Sequence, residues 1–218
     1  MASPEQPSGA GQLPASASER SGLRATLLGH RPAVLWLTGL SGAGKTTLAT
    51  ALEEILLRSG VLATVLDGDQ LRAGLSRDLG FSADDRSENI RRTGEAATLI
   101  AAAGAVAIVA LISPFRADRQ RVADLVRARG IPFAEVFVNA DLAVCERRDP
   151  KALYRRARAG EIRDLTGIGS PYEAPLNPQL ELHTGIETVA ESTRRLTHFA
   201  LALVRPNGQA SSSLRSDT

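Results

Sequence analysis

At 218 residues, 43% of them hydrophobic and only 4% aromatic, the chain has the length for one compact domain with a core of Ala, Leu, Val and Ile. A formal net charge of +2 is too small to suggest a nucleic-acid partner. The single cysteine, Cys145, excludes an internal disulfide framework or a CxxC metal site and fits a reducing cytoplasm. No run approaches the roughly 20 apolar residues of a membrane span, so no membrane partner is expected.

Residues 1–22 and 206–218 are rich in Ser, Pro, Gly, Ala and Gln and read as disordered tails around a domain at 23–205. Within that domain, Ala33–Thr38 is predicted as a buried strand, followed by a glycine-rich loop and a helix from Lys45 to Ser59. Val61–Leu66 is the second strand and ends at Asp67-Gly68-Asp69. A helix from Asp84 to Ala103 precedes a third strand, Ala105–Ile112, and an amphipathic helix, Arg116–Arg129. Phe133–Val138 is the fourth strand. A short helix at Leu142–Arg147 leads into an Arg-rich stretch and a Gly/Pro-rich loop, then an edge strand at Leu180–Leu182 and a closing helix, Ile186–Val204. Strands that are apolar throughout and separated by helices imply a parallel sheet covered on both faces, an α/β three-layer sandwich.

Gly39-Leu40-Ser41-Gly42-Ala43-Gly44-Lys45-Thr46 fits GxxxxGK[ST] between a strand and a helix, the context a phosphate-binding P-loop requires. Backbone N–H groups would wrap the β-phosphate, Lys45 would neutralise β/γ oxygens, and the Thr46 hydroxyl would ligate Mg²⁺. An Asn-Lys-x-Asp base-reading motif is missing, since Asn139-Ala140-Asp141 stands in its place, which argues against a GTPase. The third strand ends in Ser113-Pro114 rather than an acid, which argues against a motor-type ATPase. A small-molecule kinase is the better reading. Of the two acids Asp67 and Asp69, one would support Mg²⁺ through water and the other would accept a proton from the attacking hydroxyl. Arg72 and the cluster Arg86, Asn89, Arg91 and Arg92 bring positive groups that suit an anionic acceptor, although Arg91 by itself reads better as a solvated surface cation. All but two of the 26 basic residues are arginine, so Lys151 stands out beside Lys45 as a candidate site residue.

Several strings resemble the adenylylsulfate (APS) kinase family: Leu37–Thr47, Leu66–Asp69, Asp78–Ser82, Asp85–Arg92, Ile112–Arg116 with Asp118-Arg119, Arg148–Lys151, Ala157–Ile162, Thr166–Ile168 and Pro171–Glu173. The resemblance covers about residues 32–204. It implies phosphoryl transfer from MgATP to the 3′-hydroxyl of APS in sulfate activation, giving PAPS and ADP, with ATP and APS as the substrates. Gly39–Thr47 (Thr47 included) and Arg148 would hold ATP. Asp69 would be the base, and Arg72, Phe81, Arg86, Asn89, Ile112, Ser113, Lys151 and Leu165 would contact APS. The resemblance also implies a lid at about 146–168, a homodimer and a functional link to an ATP sulfurylase. Residues 146–163 carry seven bases against three acids, which suits a cationic lid.

The family's serine at position 113 is commonly described as a phosphoserine intermediate. Direct in-line transfer needs none, and a hydrogen bond to substrate is the other role open to Ser113. Two positions depart from the family pattern: Gln70, where Asn is frequent, and Leu165, where an aromatic usually packs on the APS adenine. The competing readings are a shikimate- or gluconate-type kinase and a non-catalytic nucleotide sensor.

Overall fold

The structure, a computed structural model, describes residues 15–205. A first helix, α1 (Ala17–Leu28), is followed by β1 (Ala33–Thr38), α2 (Lys45–Arg58), β2 (Ala63–Asp67), α3 (Gly68–Ala73) and α4 (Ala83–Ala102). Next come β3 (Val106–Ala110), α5 (Arg116–Arg127), β4 (Phe133–Asn139), α6 (Leu142–Arg148), α7 (Leu153–Arg158), β5 (Leu180–His183) and α8 (Val189–Val204). The five strands form one sheet in the order β2-β3-β1-β4-β5, every pairing parallel.

Side chains alternate across each strand, so consecutive residues of β1 serve opposite cores. Leu35 and Leu37 join Leu48, Leu52 and Leu196 of α2 and α8 on one face. Val34 and Trp36 join Ile90, Ala97, Val122 and Val126 of α4 and α5 on the other. With both faces covered, β1 and β3 are buried along their whole length, the burial that their unbroken apolar sequence implies. All five strands point their carboxyl ends to one edge, where ligands of open α/β sheets bind. No helix among the described residues is long and apolar enough to cross a membrane.

The sequence reading differs from the structure in local places. Helix α1 starts at Ala17, inside the segment expected to be a tail. Ser16 accepts the Glu19 N–H while Glu19 accepts the Ser16 N–H, a capping box that starts a helix in a Ser/Ala-rich stretch. The remainder of that tail, up to residue 14, and the tail at 206–218 lie outside the described residues. Helices α3 and α7, six residues each, were not anticipated. Helix α8 begins at Val189 rather than Ile186, because Thr188 and Glu191 form a second capping box there.

Candidate active site

Four strand ends supply the site. The loop after β1 carries glycines at the positions its path demands. Gly39 has φ 154° and a Cβ there would lie 2.3 Å from the Val138 carbonyl oxygen. Gly42 and Gly44 have φ 75° and 102°, the left-handed region that glycine enters without steric cost. Lys45, 8% exposed, opens α2 and donates to the Gly39 and Leu40 carbonyls at 2.9 and 2.8 Å. Burial pushes its ammonium pKa down to about 8.

At the end of β2, Asp67 is the N-cap of α3 and uses both carboxylate oxygens. One accepts the Asp69 N–H at 2.9 Å and the other accepts the Thr46 hydroxyl at 2.8 Å. One buried acid therefore sets the directions of two candidate residues. Gly68 between the acids is tight against Leu111, whose Cδ2 would lie 2.8 Å from an added Cβ. Asp69 is exposed, and its carboxylate forms an ion pair with Lys151 from the turn before α7.

These residues line a cavity of about 1190 Å³. Ser41–Thr47, Asp67, Asp69 and Arg148 lie on it, as do Arg72, Phe81, Arg86, Asn89, Ile112, Ser113, Lys151 and Leu165. Gly39 sits buried beneath the loop, and Leu40 faces an adjoining recess of about 460 Å³ with Gly167–Tyr172. Arg72 donates to the Gly80 carbonyl at 2.7 Å, and its guanidinium carbon lies 4.4 Å from the Phe81 ring centroid. Arg86 donates to Thr166 and Ser170 at 2.9 and 3.1 Å and to the Asp164 carbonyl, tying α4 to the segment after α7. Asn89 is 4% exposed, and its Oδ1 has no hydrogen-bond partner. A buried acceptor left unpaired costs about 1–3 kcal/mol, and the residue that carries it is one of those lining the cavity. Leu165 is also only 8% exposed and packs with the core residues under the loop.

Two cations of the α4 cluster stand apart, Arg91 in the surface role its sequence position favours. Arg91 and Arg92 are absent from the cavity wall; both donate to Glu88, and Arg92 also pairs with Asp78 at 2.6 Å. These contacts, led by the hydrogen bond from Arg91, hold the Glu88 carboxyl down at about 2. The pairs brace α4 rather than present charge to a ligand.

Ser113, at the end of β3, is 3% exposed and has φ 40°. Its hydroxyl accepts the Trp36 Nε1–H at 3.0 Å and donates to Thr38 Oγ1 at 3.1 Å. The Thr38 hydroxyl donates in turn to the Ile112 carbonyl at 2.7 Å. The Ser113 carbonyl accepts from buried Arg119 at 2.7 Å, and Arg119 also pairs with Glu135 at 2.5 Å. Thr38, Arg119, Tyr154 and Thr184 were not singled out from the sequence. Apart from Ser113, six residues before Arg119, their partners lie far away in the chain and are mostly backbone carbonyls, so no local spacing betrays them.

Comparison with known proteins identifies the family. The family described as adenylylsulphate kinase matches residues 31–183. The chain belongs to this family. An adenylyl-sulfate kinase of Geotalea daltonii is 54% identical over 180 residues, 83% of this chain and 86% of that protein. Another, from Vibrio cholerae, is 59% identical over 168 residues, 77% of each chain. The structure of the Mycobacterium tuberculosis APS kinase CysC in complex with AMPPNP and APS superposes with a TM-score of 0.76 at 46% identity. It covers 78% of this chain and 98% of that one.

Proposed function

We propose that this adenylylsulfate-kinase-family chain moves the γ-phosphoryl group of ATP from the loop at 39–47 to the 3′-hydroxyl of APS, giving PAPS and ADP. The observation that carries the residue assignment is the single cavity joining the phosphate loop to Asp69, Arg72, Phe81, Arg86 and Asn89. Its volume, about 1190 Å³, exceeds the roughly 300–1,000 Å³ usual for one small ligand, which suits two nucleotides placed head to head. The unpaired Asn89 Oδ1 is an acceptor of the kind an adenine amine satisfies.

In this reading the loop amides and Lys45 hold the donor phosphates, with Arg148 beside them. Asp69 takes the proton of the 3′-hydroxyl as the oxygen attacks. Lys151 pairs with that carboxylate from the turn before α7. Arg72 and Arg86 face the acceptor's anionic groups, with Phe81, Asn89, Ile112, Ser113 and Leu165 around its nucleoside. Thr46 and Asp67 offer a hydroxyl and a carboxylate 2.8 Å apart, hard oxygen donors that fit Mg²⁺ with one of them acting through water. Bound there, the ion supplies charge neutralisation at the phosphate oxygens. The segment at 146–168 serves as a lid that closes over both substrates. The reading extends to a cytoplasmic homodimer supplied with APS by an ATP sulfurylase.

The test is ADP release measured with APS, shikimate, gluconate or AMP as acceptor. Strong dependence on APS is expected; comparable rates with shikimate or gluconate would move the chain to the other kinase class. ATP binding without transfer to any acceptor would make it a nucleotide sensor.

Ser113 is proposed to position rather than to carry phosphate, because its hydroxyl is already engaged with Trp36 and Thr38. Ser113→Ala should therefore lower turnover by about tenfold or less. It should also cost about 1–3 kcal/mol of stability, because the buried Trp36 N–H loses its acceptor. Steady-state kinetics with thermal melting checks both; a dead but fully stable variant would contradict this role.

A further inference from the structure

The peptide planes of the phosphate loop are held from outside by two side chains that the reaction scheme leaves unused. Tyr154 of α7 is 2% exposed, and its hydroxyl donates to the Ser41 carbonyl at 3.0 Å. Thr184, just past β5 and 8% exposed, donates to the Ala43 carbonyl at 2.7 Å. A trans peptide carries its C=O and N–H on opposite sides. Fixing the Ser41 carbonyl therefore aims the Gly42 N–H the other way, and fixing the Ala43 carbonyl does the same for the Gly44 N–H.

Both N–H groups belong to left-handed glycines, the residues whose backbone can most easily rotate away. The donors compensate for the freedom that the glycines introduce. Burial raises the Tyr154 phenol above its ordinary value, so it remains a proton donor over the working pH range. Two other contacts complete the set: Lys45 holds the Gly39 and Leu40 carbonyls, and Arg148 reaches the Gly42 carbonyl at 3.3 Å.

We propose that Tyr154 and Thr184 are positioning residues that preset the Gly42 and Gly44 amides toward the donor phosphates, and that Tyr154 ties the lid segment to the phosphate loop. Tyr154 is suited to that tie. Its own N–H is held by Asp149 Oδ1 at 3.1 Å, and three residues before it Lys151 reaches Asp69. The α7 segment thus touches the donor loop on one side and the acceptor acid on the other.

The inference rests on ATP lying in the loop, and the experiment separates the two ideas. Calorimetry with AMPPNP and steady-state kinetics would compare wild type with Tyr154→Phe and Thr184→Val, which keep the side-chain bulk and delete one donor each. Each variant should weaken AMPPNP binding and raise KM for ATP by about twofold to tenfold, the worth of one hydrogen bond. KM for APS should move clearly less than KM for ATP, and melting should fall by no more than about 4 °C. Lower melting with unchanged ATP parameters would reduce both residues to structural supports and overturn the proposal. Equal losses in KM for ATP and APS would overturn it too. A wild type that bound no nucleotide would remove the ATP reading itself.

Discussion

Lys45→Ala should lower phosphoryl transfer by about 10²-fold or more while leaving the chain folded. The ammonium lies in a buried position at the start of α2, where charge on the transferring phosphoryl group is screened little by water. Positioned charge of this kind is the main catalytic resource of phosphoryl transfer, because there is little covalent work for the protein to do. The substitution also removes the donor to the Gly39 and Leu40 carbonyls, although the Ala43 N–H still reaches the latter at 3.2 Å. Turnover and melting are both needed to read the result: a large fall in turnover with a small shift in melting is the expected pattern.

The same lysine gives a pH signature. Burial holds its pKa at about 8, the nearby Lys151 ammonium acts in the same direction, and the carboxylates of Asp67 and Asp69 oppose them. In the free protein the lysine is charged below that value and neutral above it. The rate at low ATP should therefore decline as pH rises through about 8, since kcat/KM reports the free enzyme. At saturating ATP the bound phosphates favour the charged form, so the decline should move to higher pH.

Asp69→Asn is expected to cost turnover about 10²-fold to 10⁴-fold, the range for removing a positioned general base. The amide has the shape of the carboxylate but cannot accept the hydroxyl proton, and it gives up the ion pair with Lys151. Since the proton moves only as the new bond forms, KM for APS should change far less than kcat. The Asp67 contacts with Thr46 and the α3 N-terminus do not involve the Asp69 side chain, so the fold around the site should persist. A variant that kept kcat but lost APS affinity would make Asp69 a binding residue instead.

The parts of this site that were legible in the sequence are those whose chemistry constrains neighbours in the chain. The glycine spacing from 39 to 44 follows from backbone angles that other residues resist, and the Asp67-Gly68-Asp69 pair stands at a strand end where an apolar run stops. The sheet was readable because β1 and β3 are apolar on both faces. Helices α3 and α7 were missed because six residues span less than two turns and leave no periodic pattern. The starts of α1 and α8 could have been found, since Ser16/Glu19 and Thr188/Glu191 each show the capping-box spacing. Arg91 and Arg92 show a different limit of the sequence, although the surface role favoured for Arg91 is the one the structure gives it. Charge alone does not tell whether a cation faces a ligand or an acid such as Glu88 or Asp78. The bonds from Arg119 to the Glu173 carbonyl, from Tyr154 to Ser41 and from Thr184 to Ala43 join residues more than fifty positions apart, and only the folded chain brings them together.

The central claim is direct transfer from ATP to the 3′-oxygen of APS with Asp69 as base, and rapid-quench tracing of γ-labelled ATP tests it most directly. The chain would be mixed with labelled ATP, with or without APS, and the label followed into nucleotide, protein and free phosphate. The account predicts label on the 3′-oxygen of the APS product at the rate of ADP formation, with none accumulating on the protein when APS is left out. Label that appears first on Ser113 and then passes to APS at a competent rate would contradict it.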